Sequence, residues 1–238
     1  MKKQSTKDLI KRVLSDLDWP ILECATEMPM IRLISDHKNK SHIIYLPTKE
    51  NNKSRDLDYL HELGHATLCE KVHYIFATNS QFPTLASKKQ FLPLLPALSA
   101  ASDWFVCHWQ QEVLPAKMHK VIKGSMPVVA EILGQPTLPP IEIILDASLL
   151  IAQAVYYLDE PIDCGGVLND IVGAFLSVPP EHPSAENLLL LVNKTMAAYT
   201  TQRARLVPED DYLVWDVYQP CEAKEAVETG AAQLGAAV

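Results

Sequence analysis

A chain of 238 residues with 48% apolar content can bury one sizeable core, or one core with a helical appendage. Its formal net charge of −8 argues against an autonomous, charge-driven grip on nucleic acid. The five cysteines, Cys24, Cys69, Cys107, Cys164 and Cys221, are odd in number and scattered with no CxxC pair, which excludes a disulfide framework and points to a reducing compartment.

Met1-Lys2-Lys3-Gln4-Ser5 leads straight into an amphipathic pattern, so no secretory signal is expected. Ser5 to Trp19 reads as a first helix, with Leu9, Ile10, Val13, Leu14 and Leu17 at helical spacing and Pro20 as its stop. Met30 to Ile34 and Ser41 to Leu46 read as two strands, joined by the polar Asp36-His37-Lys38-Asn39-Lys40 in a hairpin. A polar loop over Thr48 to Lys53 follows. Ser54 then caps the next helix, with Asp56 and Asp58 at the positive end of its dipole. Gly64 costs that helix about 1 kcal/mol relative to alanine, which makes sense if another element packs against its backbone.

This helix carries His61-Glu62-Leu63-Gly64-His65, an HExxH motif. Histidines four apart stack on one helix face, so both imidazoles can reach one metal ion, with Glu62 beside them in reach of a bound water. Zinc lowers the pKa of such a water and a carboxylate takes its proton, giving a nucleophile at neutral pH. A catalytic zinc takes three protein ligands and keeps a fourth position open. The metzincin continuation is excluded, because Leu68 and Lys71 stand where its glycine and third histidine belong.

Residues 74 to 96 read as irregular, broken by Pro83, Pro93 and Pro96, and Ala97 to Leu114 as a second strong helix ended by Pro115. Further helices are expected at Met126 to Leu133, Ile141 to Leu158, Val167 to Val178 and Ala185 to Leu206. Ile141 to Leu158 is the longest apolar run, but Glu142, Asp146 and Gln153 interrupt it, which argues against a membrane span. Asp163-Cys164-Gly165-Gly166 lacks phosphate-loop spacing and reads as a plain turn into a helix. The Ala- and Glu-rich stretch from Cys221 to Val238 is expected to be a frayed or disordered tail. A soluble, cytoplasmic protein is expected.

Three segments together resemble the gluzincin-type ImmA/IrrE metallopeptidases over about residues 40–115: His42-Ile43-Ile44-Tyr45-Leu46-Pro47, His61-Glu62-Leu63-Gly64-His65, and Ala101-Ser102-Asp103-Trp104-Phe105 through Val113-Leu114-Pro115. In that family the second helix resembles ExxxN or ExxxD, with the glutamate on the metal. Here Ser99 occupies the ligand position and Asp103 the later one. Two assignments follow. Asp103, the sole carboxylate between Ala97 and Gln111, completes a His2Asp site with His61 and His65, as in the aspzincins. Otherwise His108 or another group is the third ligand and Asp103 hydrogen-bonds a histidine. Asp103 and His108 are five apart on the helix, so one metal does not take both.

Other polar residues have plainer readings. Glu70 reads as a solvated helix charge, His73 as a cation near a helix end, and Cys69 and Cys107 as small buried hydrophobes. Tyr45, Tyr59, Tyr74 and His119 are each candidates to donate a hydrogen bond to an oxyanion. Trp104 and Phe105 are expected to fill core.

The expected fold class is α+β, mostly helical. A minimal zincin-like core over residues 1–115 combines a small antiparallel sheet, the motif helix and a second ligand helix. A helical region, 116–220, packs on it or binds partners, and a tail covers 221–238. The expected function is zinc-dependent peptide-bond hydrolysis, with Glu62 as general base and His61, His65 and Asp103 on the zinc. The resemblance implies a regulatory protease acting on few protein or peptide substrates, paired in extended form with an exposed edge of the His42 to Leu46 strand. The alternative is a zincin-like interaction or regulatory domain with little or no peptidase activity. No membrane partner is expected, and nothing in the sequence indicates an oligomeric state.

Overall fold

The computed structural model of the chain describes residues 5–48, 55–77, 88–134, 137, 139–162 and 164–220. The Ser54 cap, Asp163 and the 221–238 tail lie outside them. Helix α1 (Thr6–Asp16) begins at Ser5, whose hydroxyl accepts the Asp8 N–H at 3.1 Å, and it buries Leu9 and Val13. Strands β1 (Ile21–Thr26), β2 (Arg32–Asp36) and β3 (Ser41–Pro47) follow as one sheet in the order β1-β3-β2.

Strands β2 and β3 form the expected antiparallel hairpin, with Leu33 opposite Ile44. Its turn is built by the Asp36 carboxylate, which accepts the N–H groups of Lys38 and Asn39 at 3.0 and 3.1 Å, while Lys40 takes a left-handed φ of 50°. Strand β1 was not expected. It runs parallel to β3, from Ile21 opposite His42 to Thr26 opposite Pro47, so the sheet is mixed rather than antiparallel. Two expectations change with it. The His42 to Leu46 segment is the central strand and has no free edge, and the edge open beside the next helix is that of β2.

Helix α2 (Arg55–Lys71) lays Leu60 and Leu63 on the sheet, in a cluster with Leu9, Leu33 and Ile44. A short 3-10 turn, Tyr74–Phe76, follows it. Helix α3 (Leu94–Val113) crosses α2 at Gly64, where a Cβ would meet Val106 Cγ1 at 2.7 Å and Trp109 Cε3 at 3.0 Å. The glycine is required by that close approach.

Glu70 is not a solvated charge. Its side chain is 1% exposed, accepts the backbone N–H groups of Asp18 and Trp19 at 2.6 and 3.0 Å, and accepts from His42 Nε2 at 2.9 Å. His42 Nδ1 in turn meets the buried Ser35 hydroxyl at 2.8 Å. Burial drives the His42 pKa down against the pull of Glu70, so the neutral imidazole donates through Nε2 and accepts at Nδ1. The trio pins strand β3, the end of α2 and the loop before β1 to one another.

Pro115 ends α3 and also opens helix α4 (Pro115–Leu133), at the first position, where a missing N–H removes no helical hydrogen bond. The expected helix there covered only its second half. Helices α5 (Ile141–Leu158), α6 (Val167–Leu176) and α7 (Ala185–Ala197) complete the helical layer. Among the described residues α5 alone is long and apolar enough to cross a membrane. In this fold it is a core helix, with Ile151, Ala152 and Ala154 fully buried.

The chain then departs from the all-helical expectation for 116–220. Helix α7 stops at Ala197, and strands β4 (Arg203–Glu209) and β5 (Tyr212–Tyr218) form an antiparallel hairpin. Asn193 fastens it: its amide donates to the Ala204 carbonyl at 2.9 Å, and its side-chain oxygen accepts the Ala204 N–H at 2.8 Å. Trp104 and Phe105 of α3, Ile151, Phe175, Val192 and Trp215 of the hairpin share one large core. The fold is α+β and mostly helical.

Candidate metal centre

Helix α2 presents two faces. Leu60 and Leu63 face the sheet, while His61 and His65, one turn apart, rise toward α3. Asp103, one helical turn after Ser99 on α3, meets them there. His61 Nε2 lies 3.2 Å and His65 Nε2 3.0 Å from the same atom, Asp103 Oδ1. Donor atoms held about 2.0–2.2 Å from a tetrahedral ion stand roughly 3.3–3.5 Å apart, close to these separations. One ligand atom from each of the three residues falls within 4.8 Å of the others, so the group could hold a metal ion. Their side chains remain 24%, 15% and 25% exposed, so solvent reaches the point between them.

Both rings are held from behind. His65 Nδ1 lies 2.9 Å from the Phe76 carbonyl, which can only accept, so Nδ1 carries the proton and Nε2 is left to ligate. The Ser102 hydroxyl donates to the same carbonyl at 2.7 Å. His61 Nδ1 lies 3.1 Å from Gln110 Oε1, and the Gln110 amide donates to the Leu57 carbonyl at 3.1 Å. That second bond orients the amide so that its oxygen faces His61. Gln110, Ser102 and the Phe76 carbonyl are the supports that the sequence reading did not include. Gln110 had a signal: it is seven residues beyond Asp103, on the same face of α3.

The charges at the centre reinforce one another. Burial opposes ionisation of Asp103, but hydrogen bonds from His61 and His65 outweigh it and hold the carboxyl far below the usual range. Burial likewise opposes charge on His61, and is outweighed chiefly by the hydrogen bond to the Asp103 carboxylate, which raises its pKa well above the ordinary value. Without metal, His61 holds a proton where a cation would sit. Metal binding would release it.

Glu62 stands between the histidines on the sheet side. Its Oε2 accepts the Leu33 N–H of the open β2 edge at 2.7 Å, and among the described residues its other oxygen has no protein partner. A cavity of about 510 Å³ runs past His61, Glu62, His65 and Asp103, between β2 and α3. A second, of about 370 Å³, reaches His61, Glu62 and Asp103 from the side of α4 and α5. The centre thus lies where two cavities meet.

The remaining candidates fall elsewhere. Ser99 lines the larger cavity but does not join the cluster. His108 Nδ1 bonds the Tyr157 hydroxyl at 2.9 Å, on another side of α3, and is not a third ligand. The Tyr59 hydroxyl donates to Glu23 and that of Tyr74 to the Leu213 carbonyl. Neither they nor Tyr45 nor His119 lines either cavity, so none is placed to meet an oxyanion. Cys69 is buried, as expected, and burial pushes its thiol pKa up to about 12. Cys107 is only half-buried and lines the second cavity beside His61. His73 accepts the Ile75 N–H at the start of the Tyr74–Phe76 turn, and burial lowers its pKa, so the cationic helix-end role does not hold.

Compared with protein families, with curated proteins and with solved structures, the chain matches none. The chemistry has to be argued from the site itself.

Proposed function

We propose that this chain is a zinc-dependent peptidase with a zincin-like core, whose metal ligands are His61, His65 and Asp103 and whose general base is Glu62. The observation that carries the reading is the convergence of both Nε2 atoms on Asp103 Oδ1 in an accessible cleft, with an HExxH glutamate beside it. Two imidazoles and one carboxylate suit zinc, and three protein ligands leave the fourth position that catalysis needs. Bound there, zinc would acidify water and polarise a carbonyl.

The protein's own groups would act around it. Glu62 takes a proton from the attacking water and returns it to the departing amine. The Leu33 N–H holds one Glu62 oxygen and so fixes the carboxylate's orientation. Apart from the Leu33 N–H that Glu62 occupies, the edge of β2 would pair with an extended peptide laid along the larger cavity. An aspartate ligand reaches the site because Gly64 lets α3 approach α2 closely, which offsets the methylene that a glutamate would add. A selective, regulatory protease in the cytoplasm fits the four free cysteines among the described residues and a cleft built for an extended partner.

The test is metal analysis beside turnover. Zinc-supplemented wild-type protein should carry close to one equivalent of zinc and cleave a protein or peptide substrate. Glu62→Gln should keep the zinc and lose activity by about a thousandfold. A wild-type protein that emerges metal-free ends the peptidase reading. Zinc binding with partner capture that ignores Glu62→Gln would instead favour a zincin-like interaction domain.

A further inference from the structure

Beyond His61 and Asp103, the second cavity opens between α2, α3, α4 and α5. Leu57, Met118, Leu149 and Leu150 give it apolar walls. Asp58 on α2 and Asp146 on α5 add their carboxylates to those of Glu62 and Asp103, and no lysine or arginine lines it among the described residues. The groups acting electrostatically on Asp146 are themselves acids, Asp103 and Glu142. Deeper in, Gln153 is 3% exposed, lines the cavity, and its amide has no hydrogen-bond partner among the described residues.

An amide that faces a cavity without a protein partner offers hydrogen bonds to whatever group enters it. Apolar walls with an acidic rim match one kind of side chain: a flexible aliphatic stem that ends in a cation. A glutamate would meet like charge, and a purely aliphatic residue would leave Gln153 unbonded. We propose that this cavity is the subsite that receives a lysine or arginine side chain of a peptide bound across the metal centre, next to the scissile bond. The inference rests on the peptidase reading and names the substrate class that the site selects.

The probes are three acetylated, amidated heptapeptide pools whose central residue is arginine, norleucine or glutamate, the flanking positions being mixed small residues. Competition is read by fluorescence anisotropy on full-length, zinc-loaded Glu62→Gln protein, so that binding is measured without turnover. The arginine pool should compete about tenfold more strongly than the norleucine pool, with the glutamate pool weakest. Asp146 is exposed, so its variants should fold, which circular dichroism checks. Asp146→Asn should bring the arginine and norleucine pools within about threefold of each other, and Asp146→Lys should place glutamate ahead of arginine. Equal competition by arginine and norleucine, an arginine preference untouched by both variants, or no competition by any pool overturns the subsite. The peptidase reading fails separately, if wild-type zinc-loaded protein binds the arginine pool preferentially and cleaves no pool.

Discussion

Two histidine–carboxylate clusters lie within one helix of each other, and they are built to opposite ends. At one end of α2, Ser35, His42 and Glu70 form a chain of hydrogen bonds in which the His42 and Glu70 side chains are 0% and 1% exposed. Along the same helix, His61, His65 and Asp103 gather a similar set of groups around a point that solvent reaches. In the first cluster both oxygens of Glu70 and both His42 nitrogens are spent on protein partners. In the second, the partners sit behind the rings, at Gln110 and Phe76, and the front atoms converge. The residue types alone do not distinguish a structural pin from a candidate metal centre. Where the remaining lone pairs point does.

That contrast can be broken by mutation. The largest effect should come from Asp103→Ala, which removes one of the three proposed ligands. Zinc affinity should fall by about a hundredfold or more, measured by competition with a chromophoric chelator, while the metal-free fold persists. If Glu70→Ala gives that loss instead, the two clusters have been assigned the wrong way round. Glu70→Ala should act on stability: it leaves His42 Nε2 buried without an acceptor and removes the bonds to the Asp18 and Trp19 N–H groups, at a cost of about 3 kcal/mol in chemical denaturation. Its zinc affinity should stay near wild type.

Gln110→Leu sharpens the comparison at smaller scale. It frees His61 to rotate and to exchange its ring proton, so zinc affinity should drop about tenfold with little change in coordination number. An unchanged affinity would mean that Gln110 is merely packed beside the ring. The smallest effect concerns pH. His42 has a native pKa below its unfolded value, so the unfolded chain binds its proton first. Its contribution to stability is complete above about pH 6.5 and is lost as pH falls further. His61 has the opposite sign in metal-free protein, so the measurement belongs in a His61→Ala background. Denaturation midpoints there should fall between about pH 6.5 and 5, and a flat profile would refute a neutral His42.

Much of this was legible in the sequence where the deciding interactions are local. The first helix from Ser5, the Asp36 to Lys40 turn and the HExxH spacing each depend on residues within one or two turns of backbone. Asp103 was accessible by elimination, as the one carboxylate between Ala97 and Gln111, and Gly64 by the cost of a glycine inside a helix. The C-terminal hairpin was also accessible. Ala204 and Leu206 alternate with Arg203 and Arg205, and Trp215 and Val217 with Asp216 and the exposed Tyr218, a period of two whose first part, to Leu206, was read as a continuation of α7.

The rest depended on contacts between distant parts of the chain. Strand β1 pairs in parallel with β3 across the β2–β3 hairpin, and that one non-local pairing moved the open edge from His42–Leu46 to β2. Glu70 lies 28 residues from His42 and 52 from Asp18, so nothing in its helical position tells that three donors close over it. The sequence by itself determined that two histidines and a glutamate share a helix face, because the 3.6-residue repeat fixes neighbours along one element. Only the tertiary structure decided that Asp103 rather than His108 turns to meet them, and that Glu70 does not. Those choices follow from how α3 crosses α2 at Gly64 and how the sheet closes over the far end of α2, and no local repeat encodes either one.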